Sequence, residues 1–230
     1  MFRDREQKFL HNVAAAIGRK HLLADPPGRD ETGPPVFWKD QKFEDDQIFE
    51  MFKNNLEVLS GRVYLAGDSK DASRQINIWL QELKAKRVII WDHPELKEYV
   101  HIENAGIKID YWSPGRPGRE LIEAAEKADV GITWADYAIG YTGTLALFSQ
   151  PSQGRAVSIL PAAHIAVFKR ANLVATMSTV MRDLSNRKGG NNLPASVDFI
   201  TGPSRTSDIE MDLSIGVHGP CRVWTIILDN

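Results

Sequence analysis

With 230 residues, 43% hydrophobic and 25% charged, the chain is long enough for one large domain with its own core, or a domain plus an arm. A net charge of −2, and no basic cluster longer than Lys84, Lys86 and Arg87, argue against nucleic acid or an anionic membrane as partner. One cysteine, Cys221, excludes an intrachain disulfide and is too few to hold an iron–sulfur cluster unaided.

Four of the first six residues are charged, and they lead into no signal-peptide core. The longest apolar run, 156–168, is too short for a bilayer and contains Pro161 and His164, so a cytoplasmic protein with no membrane span is expected. Phe9, Val13 and Ile17, with Leu10 beside them, recur at helical spacing and predict an amphipathic helix ending at Gly18. Asp25-Pro26-Pro27-Gly28 and Thr32-Gly33-Pro34-Pro35 then exclude regular structure, which divides the chain into an N-terminal helix with a Pro-rich arm (1–40) and a main domain (41–230). That helix must cover something with its apolar stripe, either the main domain or a partner.

From Phe43 onward helices and strands alternate. Ile48, Phe52, Leu56 and Leu59 mark a helix closed by Gly61; 62–66 is a strand; Ile76, Leu80 and Leu83 mark a helix; 87–91 is a strand. Pro94 opens a helix expected to end near Gly106, followed by a strand at 107–112, a helix at 121–128 and a strand at 130–133. This alternation predicts a largely parallel sheet covered on both faces. Three short apolar runs follow, 144–148, 156–160 and 165–168, read as strands that pair antiparallel or cross over tightly. A helix at 177–186, a strand at 197–201, a half-buried alternating strand at 208–215, and a last strand at 222–228, turned back by Gly219-Pro220, complete the reading. The class is α/β: three layers, a mostly parallel sheet and C-terminal antiparallel strands.

Four motifs carry candidate chemistry. Thr142-Gly143-Thr144, after Tyr141, offers bare backbone N–H and two hydroxyls to a phosphate or carboxylate; it equally suits a tight turn. Gly202-Pro203-Ser204, after a strand and Thr201, is a second candidate ligand loop, since ligands of α/β sheets sit beyond strand carboxyl ends; a plain connector has the same composition. Asp208, Glu210 and Asp212 share one strand face, where close carboxylates make an acid/base pair or attract a hard cation, or simply face solvent. His218, before Gly219-Pro220, is either a proton carrier or a local hydrogen-bonding residue, as is His164. Cys221 reads as a small buried strand residue. No dinucleotide fingerprint, Walker motif, His/Cys metal cluster or nucleophile elbow is present, so no cofactor or metal is assigned to the chain itself.

Two stretches resemble a known family. Ala128–Thr133 (Ala-Asp-Val-Gly-Ile-Thr), Thr142-Gly143-Thr144, Gly154-Arg155, Ser158-Ile159-Leu160-Pro161 and His164-Ile165 form the first; Phe199 to Ser204, Ser207-Asp208-Ile209-Glu210 and Gly216-Val217-His218-Gly219-Pro220 form the second. Together they are similar to the LUD (lactate utilization) domain of the bacterial lactate utilization protein C family. The resemblance implies a NagB/RpiA/CoA transferase-like fold and a part in oxidising L-lactate to pyruvate, with a small anionic ligand. It implies two partner proteins with Cys-rich and iron–sulfur motifs that carry the clusters; a homo-oligomer is also compatible. An independent enzyme on a CoA ester or sugar phosphate, and a pure assembly protein for the lactate-oxidising complex, are the alternatives. Family members often have Glu-Ser-Gly-Thr where this chain has Tyr141-Thr142-Gly143-Thr144, and Tyr141 cannot replace the nucleophilic Glu of CoA-transferase relatives.

Overall fold

The computed structural model describes residues 2–19, 42–187, 193–206 and 214–229. The chain divides into two units, Met1–Lys42 and Phe43–Asn230. In the first, α1 (Phe2–Ala16) is the expected amphipathic helix, and its Phe9, Leu10 and Val13 are exposed.

The second unit is built on a six-stranded sheet. Its strands are β1 (Arg62–Ala66), β2 (Arg87–Trp91), β3 (Lys108–Trp112), β4 (Val130–Trp134), β7 (Ala163–Lys169) and β12 (Arg222–Leu228), in the order β1-β12-β7-β4-β2-β3. Every neighbouring pair is parallel. Strands buried on both faces read as unbroken apolar runs, as Val88 to Trp91 and Ile226 to Leu228 do.

Helices cover both faces. α3 (Ser69–Glu82), capped by Asp68 accepting from the Asp71 N–H, lays Trp79 on Trp224, 5.1 Å between ring centroids. On the opposite face, α2 (Asp45–Val58) sets Phe52 edge-on to Phe168 at 5.5 Å. Also on that face lies α6 (Ala156–Ile159), so near β4 that a Cβ on Gly131 would come 1.8 Å from the Val157 carbonyl oxygen. The remaining helices are α4 (Pro94–Tyr99), α5 (Gly118–Glu126) and α7 (Met177–Asn186). Among the described residues no helix is long and apolar enough to cross a membrane.

Antiparallel pairing is confined to smaller sheets. β5 (Tyr137–Ile139), β6 (Thr144–Phe148), β8 (Leu173–Val174) and β9 (Val197–Ile200) form a four-stranded sheet ordered β8-β5-β6-β9. Leu145, Leu147 and Ala138 join the main core, whereas Ile139, Ala146 and Phe148 pack with Val180 of α7 in a second, small one. β10 (Arg205–Thr206) pairs antiparallel with β11 (Ser214–Ile215).

The structure corrects three local expectations and leaves a fourth outside the described residues. The run 156–160 is the helix α6, not a strand; a short apolar run carries no period, and here the side-chain-free surface of Gly131 receives a helical turn. α4 stops at Tyr99 rather than near Gly106. The last strand does not fold back on the segment before it: β12 enters the parallel sheet between β1 and β7. The predicted strand 208–215 lies outside the described residues except at its end, where Ile215 is exposed rather than half-buried.

Candidate functional site

Two groups of polar residues stand at opposite ends of the parallel sheet. The first contains the residues picked from sequence. Tyr141 and Thr142 end a 3-10 turn (Gly140–Thr142) that runs along α2, held by Asn55, whose side-chain amide donates to the carbonyls of Gly140 (2.9 Å) and Tyr141 (3.0 Å). Gly143 has φ +62°, and a Cβ there would come 2.6 Å from the Leu56 nitrogen. Gly202, at φ +74°, backs onto Leu59 of the same helix end. Only glycine combines this backbone with that approach. α2 ends just before β1, so both turns lie at the amino end of the sheet.

The two turns are joined by hydroxyls. Thr144 Oγ1 is 2.7 Å from Thr142 Oγ1 and 2.7 Å from Thr201 Oγ1. The Ser204 N–H donates to the Pro220 carbonyl and its own carbonyl accepts from Gly216, which brings the His218 loop alongside; His218 is exposed and Pro203 buried. Thr142, Gly143, Thr144, Gly202, Pro203 and Ser204 are therefore neighbours. Asp208 and Glu210, with Asp212, lie outside the described residues. Arg205–Thr206 pairs with Ser214–Ile215, so the residues flanking 207–213 meet. The Gly143 and Ser204 amides are taken up by protein carbonyls. Three hydroxyls in a row use two of their protons on one another, which leaves one to donate outward.

The second group was not picked from sequence and stands at the carboxyl end. After β2 the chain turns to β3 on one side, and after β4 to β7 on the other, so a topological switch point lies between β2 and β4. His93 follows β2 and stacks on Trp134, the last residue of β4, with 5.3 Å between rings 10° apart. Its Nδ1 is buried without a hydrogen-bond partner among the described residues. Burial holds its pKa below the ordinary imidazole value, against the opposing pull of Glu95. Glu95 accepts from Lys169 Nζ, which lies 3.0 Å from Oε1 and 2.9 Å from Oε2 and over the Tyr99 ring at 5.9 Å. The hydrogen bond to Glu95 raises the Lys169 pKa, which favours the charged form of this lysine.

Asp136, two residues past β4, accepts from the Phe148 N–H at 2.7 Å, yet burial pushes its pKa up to about 6. Beside it Arg187 holds Asp183, 3.0 Å from Nε and 2.9 Å from a terminal nitrogen to the same oxygen, Oδ2, which also accepts from the Tyr137 hydroxyl at 3.0 Å. A cavity of about 890 Å³ opens there, lined by Phe148, Ser149, Gln150, Pro151, Arg187, Leu193, Pro194 and Ala195.

The sequence profile of the LUD domain matches residues 49–228, from the middle of α2 to the end of β12. The chain belongs to the LUD domain family. It is 40% identical over 231 residues to a lactate utilization protein C of Shouchella clausii, covering 100% of both chains. It is 34% identical to that of Halalkalibacterium halodurans, over 99% of each chain, and 29% identical to that of Bacillus subtilis, over 99% of this chain and 97% of the other. A crystal structure of a DUF162 family protein from Deinococcus radiodurans superposes with a TM-score of 0.58 at 20% identity, covering 81% of this chain and 99% of that one; it bears on the fold alone.

In this LUD domain the sequence motifs mark the amino-end turns, whereas His93, Lys169 and Asp136, three of the titratable groups with displaced pKa values, stand at strand carboxyl ends; His164, whose pKa burial lowers, sits at the start of β7. The sequence held one usable signal for the carboxyl-end groups. His93, Asp136 and Lys169 each close or follow an apolar strand within two residues.

Proposed function

We propose that this chain serves L-lactate utilization in the cytoplasm. It acts as an accessory component of an iron–sulfur-dependent system that oxidises L-lactate to pyruvate. Two partner proteins with Cys-rich and iron–sulfur motifs carry the electrons, and this chain holds a small anionic ligand. The observation that supports this reading is end-to-end likeness to proteins named lactate utilization protein C, at 40% identity over all of both chains. A single cysteine agrees with a member that leaves cluster chemistry to others. The hydroxyl row of Thr142, Thr144 and Thr201, beside Gly202-Pro203-Ser204, is the proposed ligand edge, with His218, Asp208 and Glu210 as its acid/base candidates.

The test is growth on L-lactate as sole carbon source after deletion, in a strain with no other lactate dehydrogenase. Loss of growth, restored by the wild-type gene, is expected; normal growth overturns the reading. A second reading, an enzyme acting alone on a CoA ester or sugar phosphate, draws support from the His93–Glu95–Lys169 group at the switch point. Turnover of such a compound by the purified chain, lost in Lys169→Met, would favour it over an accessory role.

A further inference from the structure

We propose that the cavity at the end of β6 binds an organic acid, with its anionic head on Arg187 and an apolar body against Pro151 and Leu193. At about 890 Å³ it lies within the range of small-molecule sites, roughly 300–1,000 Å³. That space also admits a body larger than a three-carbon acid. Among the described lining residues Arg187 alone carries a formal charge; it is paired with Asp183, so what it offers an anionic head is the donors of its remaining edge. Of the other described lining residues Ser149 and Gln150 are polar, and Pro151, Leu193, Pro194 and Ala195 offer the apolar side.

The guanidinium is fixed before any ligand arrives. One face lies over the Phe148 ring at 5.1 Å, and one edge is spent on Asp183 through Nε and Nη2. Asp183 is itself anchored by the Tyr137 hydroxyl. The second terminal nitrogen, Nη1, lies outside that pair. A planar donor held in one orientation binds a carboxylate or phosphate with little further loss of entropy. Phe148 is buried beneath the guanidinium and backs it, while Pro151 and the half-exposed Leu193 face the space in front. The inference does not rest on the lactate reading, because no residue of the amino-end turns takes part.

The experiment is calorimetric titration of the full chain with 2-naphthoate and with its neutral isostere 2-naphthamide. Naphthoate is expected to bind one per chain, roughly tenfold to a hundredfold more tightly than the amide, the usual scale of a hydrogen bond to a charged group. Arg187→Met should bring the two probes to the same weak affinity. Leu193 is half-exposed at the rim, so Leu193→Trp should block naphthoate without changing the melting temperature. This second variant keeps the test decisive if the arginine variant folds poorly. Absence of saturable naphthoate binding, equal binding of the two probes by the wild type, or unchanged naphthoate affinity in a folded Leu193→Trp protein overturns the proposal.

Discussion

Asp136→Asn should make this protein more stable at neutral pH. The carboxyl is mostly buried, and burial lifts its pKa from 3.8 to about 6 against the Phe148 N–H and the nearby Arg187. A rise of about two units is worth about 3 kcal/mol between the protonation states, at roughly 1.4 kcal/mol per unit. The folded chain holds this proton more tightly than the unfolded chain does. Stability from this group is therefore complete below pH 4, is lost between about 4 and 6, and is absent above 6. Asparagine keeps the shape and an oxygen for the Phe148 N–H but never ionises. Its amide N–H groups need partners, which subtracts part of the gain. Expected is a variant more stable than wild type at pH 8 by up to about 3 kcal/mol, with the difference vanishing near pH 4. Urea unfolding of both proteins from pH 4 to 8 measures it, and differences common to both cancel. A variant less stable than wild type at pH 8, or a gap that does not shrink with acid, would refute the reasoning.

His164 gives the opposite slope. It is fully buried, with Nε2 2.8 Å from Thr133 Oγ1, and burial drives its pKa down to about 3, so the unfolded chain takes up a proton below pH 6.5 that the folded chain refuses. Relative to His164→Gln, the wild type should lose roughly 1.4 kcal/mol per pH unit from 6.5 toward 3 in the same unfolding assay; parallel curves would contradict this. Gly143→Ala should lower stability more than Gly115→Ala, because both have positive φ but only Gly143 also meets Leu56. About 1 kcal/mol for the strain alone and 2 or more with the contact are the expected losses in chemical denaturation. Thr144→Val strips the middle hydroxyl from the row of three and should cost about 1–2 kcal/mol, whereas Thr142→Val, at the exposed end, should cost less than half of that; equal losses would show that the row has no shared energetics.

The α/β alternation was legible because each element carries its own period. Ile48, Phe52 and Leu56 are the buried face of α2, and the run from Val88 to Trp91 is a strand covered on both sides. Strand order was not legible. No local pattern tells β12 to lie between β1 and β7, or β4 beside β2, some forty residues away. β5 and β8, three and two residues long, are too short to show a period. The amino-end turns stood out because glycine beside hydroxyls is rare enough to notice, and the structure brings Thr142–Thr144 and Gly202–Ser204 together through Thr144 and Thr201. His93, Lys169 and Arg187 look like any surface residue in a string of letters. They acquire partners only once distant strand ends are set side by side.

The placement of β12 has a bearing on how the molecule is made. β1 bonds to no strand of the large sheet except β12, and the two are separated by some 160 residues of chain. During synthesis the ribosome releases β1 early, and its backbone edge waits unpaired until residues 222–228 emerge. The other four strands, β7-β4-β2-β3, are contiguous in the sheet without β12, so the segment 222–228 is what links them to β1. Contacts this remote along the chain form slowly. A chain lacking residues 222–228 would expose two edges that the complete sheet covers, one on β1 and one on β7, each suited to capture by another chain or to protection by a chaperone.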